Sequence, residues 1–334
     1  MIFDNIEFHN VAELRGVSRG RRLQRVPEDV RLCLNQRAQE KMLSPAGSEI
    51  RFVSSGAPVR VTVSCPEGTA EAIPFWGPFQ GKERFRIGLE PQVLELVYPE
   101  RLKKLDEHTR DGLLYSPKMC RLTLRGDGLV YHGIEGEGLR PPTVDEVPKL
   151  RYLSYGTSIT HGSSATAMHL TYVRQVAWRL GADLINFGVG GAAHCEKELS
   201  DYLAQREDWD IATLALSVNM VGGFSVEAFT KRVEYMVNTV AGANTARPVA
   251  CISIFPHFRD FCVDEALTEK TETFRQVLRD AVRICPHPNV HLLEGPDMLT
   301  DKGGLSVDLI HPGDFGMIEM GERIAGRLKG LIGS

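Results

Sequence analysis

The stretch Tyr155-Gly156-Thr157-Ser158-Ile159-Thr160-His161-Gly162 follows a short apolar run, Leu150 to Leu153, and precedes a periodic pattern, Ala167 to Leu180. An apolar run that gives way to a glycine-bounded turn and then to 3.6-residue periodicity predicts a buried strand handing over to a helix. Ser158 then sits on the tight turn at the carboxyl end of a sheet strand, where open α/β folds bind ligands. Amides entering the helix favour negative charge beside its hydroxyl. A serine before a helix is more often only an N-cap, so a chemical role depends on partners elsewhere in the chain.

Moving outward, apolar runs recur at Leu150–Ser154, Leu184–Phe187, Ile211–Ser217, Val249–Phe255 and Val290–Leu293. Between and after them, residues such as Leu170, Val173, Ala177 and Leu180, or Phe229, Val233, Met236 and Val240, fall on helical stripes. The sets Phe274, Val277, Leu278, Val282 and Met317, Met320, Ile324, Leu328 follow the same spacing. Continuous apolar strands alternating with amphipathic helices predict βαβ units on a five-stranded, largely parallel sheet, a flavodoxin-like three-layer sandwich. In such sheets function lies in the strand-to-helix loops.

Those loops carry matching groups. The second reads Asn186-Phe187-Gly188-Val189-Gly190-Gly191-Ala192-Ala193, whose glycines let backbone amides approach a ligand. The third, Ser217-Val218-Asn219-Met220, can aim an asparagine amide at a developing oxyanion, although a lone loop asparagine is more often an Asx-turn or cap. The fourth, Asp308-Leu309-Ile310-His311-Pro312, precedes the last helix, with Pro312 as its first residue. Its carboxylate can hold one imidazole nitrogen while the other faces the crevice. An Asp-His pair is also a fragment of many metal sites, but no third or fourth ligand lies nearby, and no metal or cofactor is called for.

Taken in order, these loops resemble the blocks of the SGNH hydrolases, also called the GDSL esterase/lipase family, across residues 149–334. Gly156-Thr157-Ser158-Ile159 is similar to the family's Gly-Asp-Ser-Leu block, and Asn186-x-Gly188-x-x-Gly191 to its glycine block. Ser217-x-Asn219-Met220 is similar to the Gly-x-Asn-Asp block, and Asp308-x-x-His311 to the Asp-x-x-His block. The resemblance implies Ser158 as nucleophile, His311 as general base and Asp308 as its orienting partner. It implies an oxyanion hole built from the amides of Ser158 and Gly191 (or of Gly190, should the register differ by one) and the side chain of Asn219. Thr157 and Met220 stand where the family blocks have aspartates, and Ser217 where one has glycine. In the family those acids mainly organise loops, so the departures bear on loop geometry more than on chemistry. The expected activity is hydrolysis of a carboxylic ester, with a small acyl group on a carbohydrate or other small molecule. Acyl transfer to a sugar or natural-product hydroxyl is the alternative, and a non-catalytic carbohydrate-binding protein the third. Tyr155, His194, His161 and His257 are candidate substrate contacts, each with a packing or surface role as its alternative.

The first half has a different rhythm. Ile50 and Phe52, then Val59, Val61 and Val63, alternate with polar neighbours. So do Phe85, Ile87 and Leu89, Leu94 and Leu96, and Cys120, Leu122 and Leu124. Period-two alternation broken by Gly and Pro turns predicts an antiparallel β-sandwich of jelly-roll type over residues 1–140. The resemblance extends here more loosely, to the family subset with an N-terminal jelly roll. Residues 1 to about 45 are expected as a peripheral wrap or edge strands. The segment Pro74-Phe75-Trp76-Gly77-Pro78-Phe79-Gln80-Gly81 reads as a loop whose aromatics, Trp76 among them, cover a binding site, stack on a sugar or form a plug between two domains. Gly133 to Pro148, rich in Gly and Pro, reads as the boundary before a catalytic domain at 149–334.

Composition narrows the classes. The 334 residues are 43% hydrophobic and 25% charged, with a formal net charge of −4. That is an ordinary globular composition with no electrostatic case for nucleic acid or an anionic membrane. No apolar run approaches a membrane span, and Met1-Ile2-Phe3-Asp4 does not open a signal peptide. The seven scattered cysteines form no CxxC pair and read as buried free thiols, which makes a cytoplasmic location the expectation. The expected partner is a small-molecule ester, and a homo-oligomer stays open.

Overall fold

The computed structural model describes residues 1–56 and 58–332, which divide into two compact units. One comprises Met1–Glu28 and Glu40–Lys149; the other comprises Asp29–Gln39 together with the chain from Leu150 onward.

The first unit is built of two antiparallel sheets. In one, Ile2–Phe3, Ile6–His9, Glu49–Val53, Met119–Gly126, Ala70–Trp76 and Phe79–Gln80 lie in that order, with Phe85–Ile87 also pairing with Ala70–Trp76. The other runs Gln92–Leu96, Val59–Ser64, Val130–Glu135, Arg21–Gln24, Glu13–Gly16. Alternation sends Ile50, Phe52, Leu122 and Leu124 from one sheet and Val59, Val61, Val63, Leu94 and Leu96 from the other into one buried cluster. The expected sandwich thus forms for the expected reason, and the first residues supply edge strands to both sheets.

One local expectation is corrected. Pro74, Phe75 and Trp76 belong to a strand, and only Gly77-Pro78 forms the turn back to Phe79-Gln80. Trp76 is 3% exposed and packs edge-on to Phe52 and Tyr98, so it is a core ring and not a loop aromatic. The proline misleads because its strand pairs with Met119–Gly126 through other residues' amides, with Leu122 opposite Pro74. The segment Gly133–Pro148 runs up to the division between the units at Lys149 and is itself ordered. It continues the strand Val130–Glu135, then bridges Arg140 to Val53, and the Arg140 guanidinium grips Glu146 with two hydrogen bonds of 2.7 and 2.8 Å.

The second unit holds a five-stranded parallel sheet in the order Ala182–Gly188, Leu150–Gly156, Ile211–Ala215, Val249–Ile252, Val290–Leu293. The order of strand addition across the sheet reverses between the first and third strands in sequence, and a doubly wound sheet opens its crevice there. Helices Tyr172–Leu180 and Asp314–Ile332 pack together on one face, burying Val173, Val176, Met317, Met320, Ile324 and Leu328 against Tyr152, Leu184 and Ile252. Helices Lys197–Gln205, Val226–Ala243 and Glu265–Ile284 form the other layer, where Phe229 and Phe274 stack with centroids 4.5 Å apart.

The helix expected from Ala167 begins at Tyr172, after a short 3-10 turn, because Thr171 caps it by accepting the Arg174 N–H. The last helix begins at Asp314, not at Pro312, which instead pairs with Leu305 to close a loop. Of the cysteines, Cys65, Cys120, Cys195 and Cys251 are buried as expected, while Cys33 is exposed.

Candidate active site

Ser158 is the first residue of a single helical turn, Ser158–His161, and the capping role falls to its neighbour. Thr157 is the N-cap, its hydroxyl accepting the Ile159 N–H, so the residue that departs from the family block holds the turn in place. Gly162 ends the turn in the left-handed region at φ 103° and donates to the Ser158 carbonyl at 3.0 Å. Beneath it, the Thr160 and Tyr172 hydroxyls meet at 2.7 Å. The Ser158 hydroxyl is therefore free of capping duty.

It is engaged instead by His311, whose Nε2 lies 2.7 Å from Ser158 Oγ. His311 Nδ1 lies 2.7 Å from Asp308 Oδ2. The other carboxylate oxygen, Oδ1, accepts from Ser306 Oγ–H and from the N–H groups of Ile310 and His311 at 2.8–2.9 Å. Partial burial works to raise the Asp308 carboxyl, but these donors and the His311 ring outweigh it and hold the group well below the usual carboxylate range. The loop is closed by the Ser306 N–H to His311 C=O bond at 2.8 Å. Leu309 takes φ 55° at its tip, and its carbonyl accepts the Phe258 N–H at 2.6 Å, so the loop after the fourth strand braces the Asp308–His311 loop.

The glycine block is tied to both neighbouring loops. Asn186, fully buried, accepts the Gly188 N–H at 2.8 Å and donates to the Thr160 carbonyl at 3.1 Å. A side chain at Gly188 would strike the His161 backbone nitrogen, 2.2 Å from an ideal Cβ. Val189 N–H donates to the Gly156 carbonyl at 2.8 Å, and Ala193 N–H to Asn219 Oδ1 at 3.2 Å. Gly191, between these anchors, takes φ 70°. Among the described residues, the amides of Ser158 and Gly191 and the Nδ2 of Asn219 have no acceptor within the protein. The Gly190 amide is in the same position.

Ser217, which stands for the family's glycine, adopts φ 106°, a region that favours glycine. It does so because its carbonyl must turn to accept the N–H groups of both Met220 and Val221, at 2.8 and 3.1 Å. Met220, in place of an aspartate, is fully buried and anchors the loop by packing.

The residues singled out as substrate contacts fall apart into different surroundings. Tyr155 has no exposed surface; its hydroxyl accepts the Cys195 N–H at 3.1 Å and supports the glycine loop from the strand beneath. His257 is buried and bonds Asp260 through its N–H and ring. His161 ends the serine turn, half-buried. His194 is half-buried against Phe224, and burial together with the Arg232 charge lowers its pKa. Trp76 lies in the core of the first unit.

Sequence reading also missed residues. Asn35, in the 29–39 segment, donates its side chain to the Ala192 carbonyl at 3.1 Å and to Glu196 Oε1 at 2.9 Å, and its N–H meets the same oxygen at 2.6 Å. Burial pushes the Glu196 carboxyl up, although both Asn35 donors pull the other way. The guanidinium of Arg37 lies against Gly191, with Cζ 2.8 Å from where a Cβ would be. No local pattern announces either residue, because their partners are more than 150 positions away.

Among the described residues, no group of three or more His, Cys, Asp or Glu side chains is arranged to hold a metal ion. No helix among them is long and apolar enough to cross a membrane.

Comparison with known proteins follows the same division. Residues 150–329 match the model of the GDSL-like lipase/acylhydrolase family. No curated protein matches the chain. Several solved structures share both units of the fold. A Bacteroides ovatus protein described as a GDSL-like lipase is 17% identical, with 98% of this chain and 96% of that one covered and a TM-score of 0.71. A salicylyl-acyltransferase from a tetracycline biosynthetic pathway is 16% identical over 98% and 96%, with a TM-score of 0.76. A family two carbohydrate esterase from Clostridium thermocellum is 15% identical over 86% and 91%, with a TM-score of 0.60. With the family model spanning more than half of its residues, the chain belongs to the GDSL-like lipase/acylhydrolase family, as an ester-hydrolysing enzyme that carries an antiparallel β-rich unit ahead of its α/β unit.

Proposed function

We propose that this enzyme cleaves a carboxylic ester of a small acyl group, borne by a carbohydrate or another small molecule, through an acyl-enzyme on Ser158. The observation that carries the proposal is the unbroken chain Asp308–His311–Ser158, with both links at 2.7 Å. A serine hydroxyl is a weak nucleophile until a base takes its proton during attack. His311 Nε2 receives that proton as Ser158 Oγ bonds to the carbonyl carbon, and Asp308 stabilises the imidazolium through Nδ1–H. The carbonyl oxygen becomes an oxyanion facing the Ser158 and Gly191 amides and Asn219 Nδ2, which need no reorganisation to receive it. Collapse expels the alkoxide, which takes the proton from His311. Water, deprotonated by the same imidazole, then cleaves the acyl-enzyme to carboxylic acid and free Ser158.

If an alcohol replaces water in the last step, the product is a transferred ester. Incubating the enzyme with an ester in the presence and absence of sugar acceptors separates the two outcomes. A purely carbohydrate-binding role fits less well, because binding alone has no use for a serine, histidine and aspartate in register beside three unpaired donors. The test is Ser158→Ala: hydrolysis of p-nitrophenyl acetate should vanish while circular dichroism stays unchanged. Full activity in that variant would overturn the assignment.

A further inference from the structure

We propose that Arg37 selects ester substrates carrying an anionic group, carboxylate or phosphate, close to the scissile bond. The proposal rests on the reading of Gly191 as an oxyanion-hole donor and extends it to substrate class. Three guanidinium atoms of Arg37 lie 2.8–2.9 Å from the ideal Cβ position of Gly191, so the cation covers that glycine directly. Arg37 is exposed and, among the described residues, has neither an ion pair nor a hydrogen-bond partner. An arginine fork left unpaired beside a binding crevice is a ready receptor for a bidentate anion.

The backbone that carries it is anchored beside the glycine loop. Arg37 sits on the short helix Gln36–Lys41, whose Ala38 N–H is capped by Asn35 Oδ1 at 3.1 Å. The Asn35 amide in turn grips the Ala192 carbonyl, one residue from Gly191. No carboxylate among the described residues pairs with the guanidinium. Glu196 is committed to Asn35, and Asp308 to His311 and its own loop. Arg259 approaches Gly222, in the loop that carries Asn219, with Nη2 3.7 Å from a Cβ position there, again without a carboxylate partner among the described residues. The fields of two such cations favour a negatively charged ligand in the crevice.

The test uses the full chain and two matched ester pairs. Mono-p-nitrophenyl succinate against p-nitrophenyl butyrate places the charge on the acyl side. 4-Acetoxybenzoate against its methyl ester places it on the leaving-group side. In one pair the anionic member should have the higher kcat/KM, and Arg37→Ala should cut the anionic-to-neutral ratio on the order of ten- to a hundredfold, mostly through KM. Arg37→Lys should retain part of the preference, and 0.5 M salt should weaken it in the parent enzyme by about severalfold. An unchanged ratio in both pairs on Arg37→Ala would overturn the proposal. Equilibrium binding of the same compounds to Ser158→Ala, with and without Arg37→Ala, reads the proposal without turnover. Equal affinities there overturn it, whereas failure of a fluorophosphonate to label Ser158 overturns the esterase reading alone.

Discussion

The side-chain oxygen of Asn219 accepts the amide hydrogen of Ala193 at 3.2 Å, so one hydrogen bond both locks the glycine loop and decides which way the Asn219 amide group faces. With Oδ1 committed, Nδ2 is left as a free donor. Asn219→Asp keeps the acceptor for Ala193 but replaces the donor with an oxygen that repels an oxyanion. It should lower kcat by about a hundredfold or more with little change in Tm. Asn219→Ala, which also loses the loop contact, should lower both. Steady-state kinetics alongside thermal melts tells them apart; a fully active Asn219→Asp would remove this residue from the oxyanion hole.

Asp308→Asn is a sharper lesion than its size suggests. Oδ1 must stay with the amides of Ile310 and His311, so the new NH2 group faces His311 Nδ1. An amide donor there forces the imidazole proton onto Nε2, where it can no longer accept the proton of Ser158. We expect kcat to fall on the order of a thousandfold or more, with the fold retained. A drop below about tenfold in kcat would show that Asp308 orients the loop and little else.

Ser217 holds φ 106° without being glycine. Strain of this kind costs on the order of 1–3 kcal/mol, against which the extra unfolded-state freedom of glycine costs about 0.5–1 kcal/mol. Ser217→Gly should therefore raise stability by about 1 kcal/mol, seen as a higher urea midpoint at unchanged slope. Its buried hydroxyl, which has no hydrogen-bond partner among the described residues, adds to the expected gain. A lower midpoint would refute the strain argument.

Glu196 gives a pH-dependent prediction. Its carboxyl is raised by burial, so ionising it costs more in the folded protein than in the unfolded chain. The stability tied to its protonated form is full below the unfolded value of about 4.3 and is lost as pH rises through the higher folded value. Glu196→Gln does not titrate and still offers Asn35 an acceptor. The Tm difference between variant and parent should be more favourable to the variant at pH 7.5 than at pH 4.5. The opposite trend would mean that the Asn35 donors outweigh burial.

Much of this was legible in the chain because it rests on local periodicity. Ile50 and Phe52 against Arg51, or Phe229, Val233 and Met236, state their faces within a few residues. The four loops were legible for a different reason: their residue types match a family pattern, and parallel strands deliver them in order. Trp76 was misread because Pro74 and Gly77-Pro78 look alike in sequence, yet one lies within a strand and the other makes the turn. Asn35 and Arg37 were invisible since their significance is wholly tertiary. Thr157 and Met220 looked like losses and are substitutions of mechanism: a hydroxyl cap and an apolar anchor stand where hydrogen-bonded acids would be.

The segment 29–39 has a consequence for how such a protein can be recombined. The hydrolase unit is written in two separate stretches of the chain, and the shorter one is embedded in the coding region of the sandwich. A cut near Pro148 would therefore not release a self-sufficient catalyst. It would strip Glu196 of its Asn35 donors and Gly191 of its guanidinium cover. A gene-level exchange at that apparent boundary would transfer the α/β unit without its 29–39 segment.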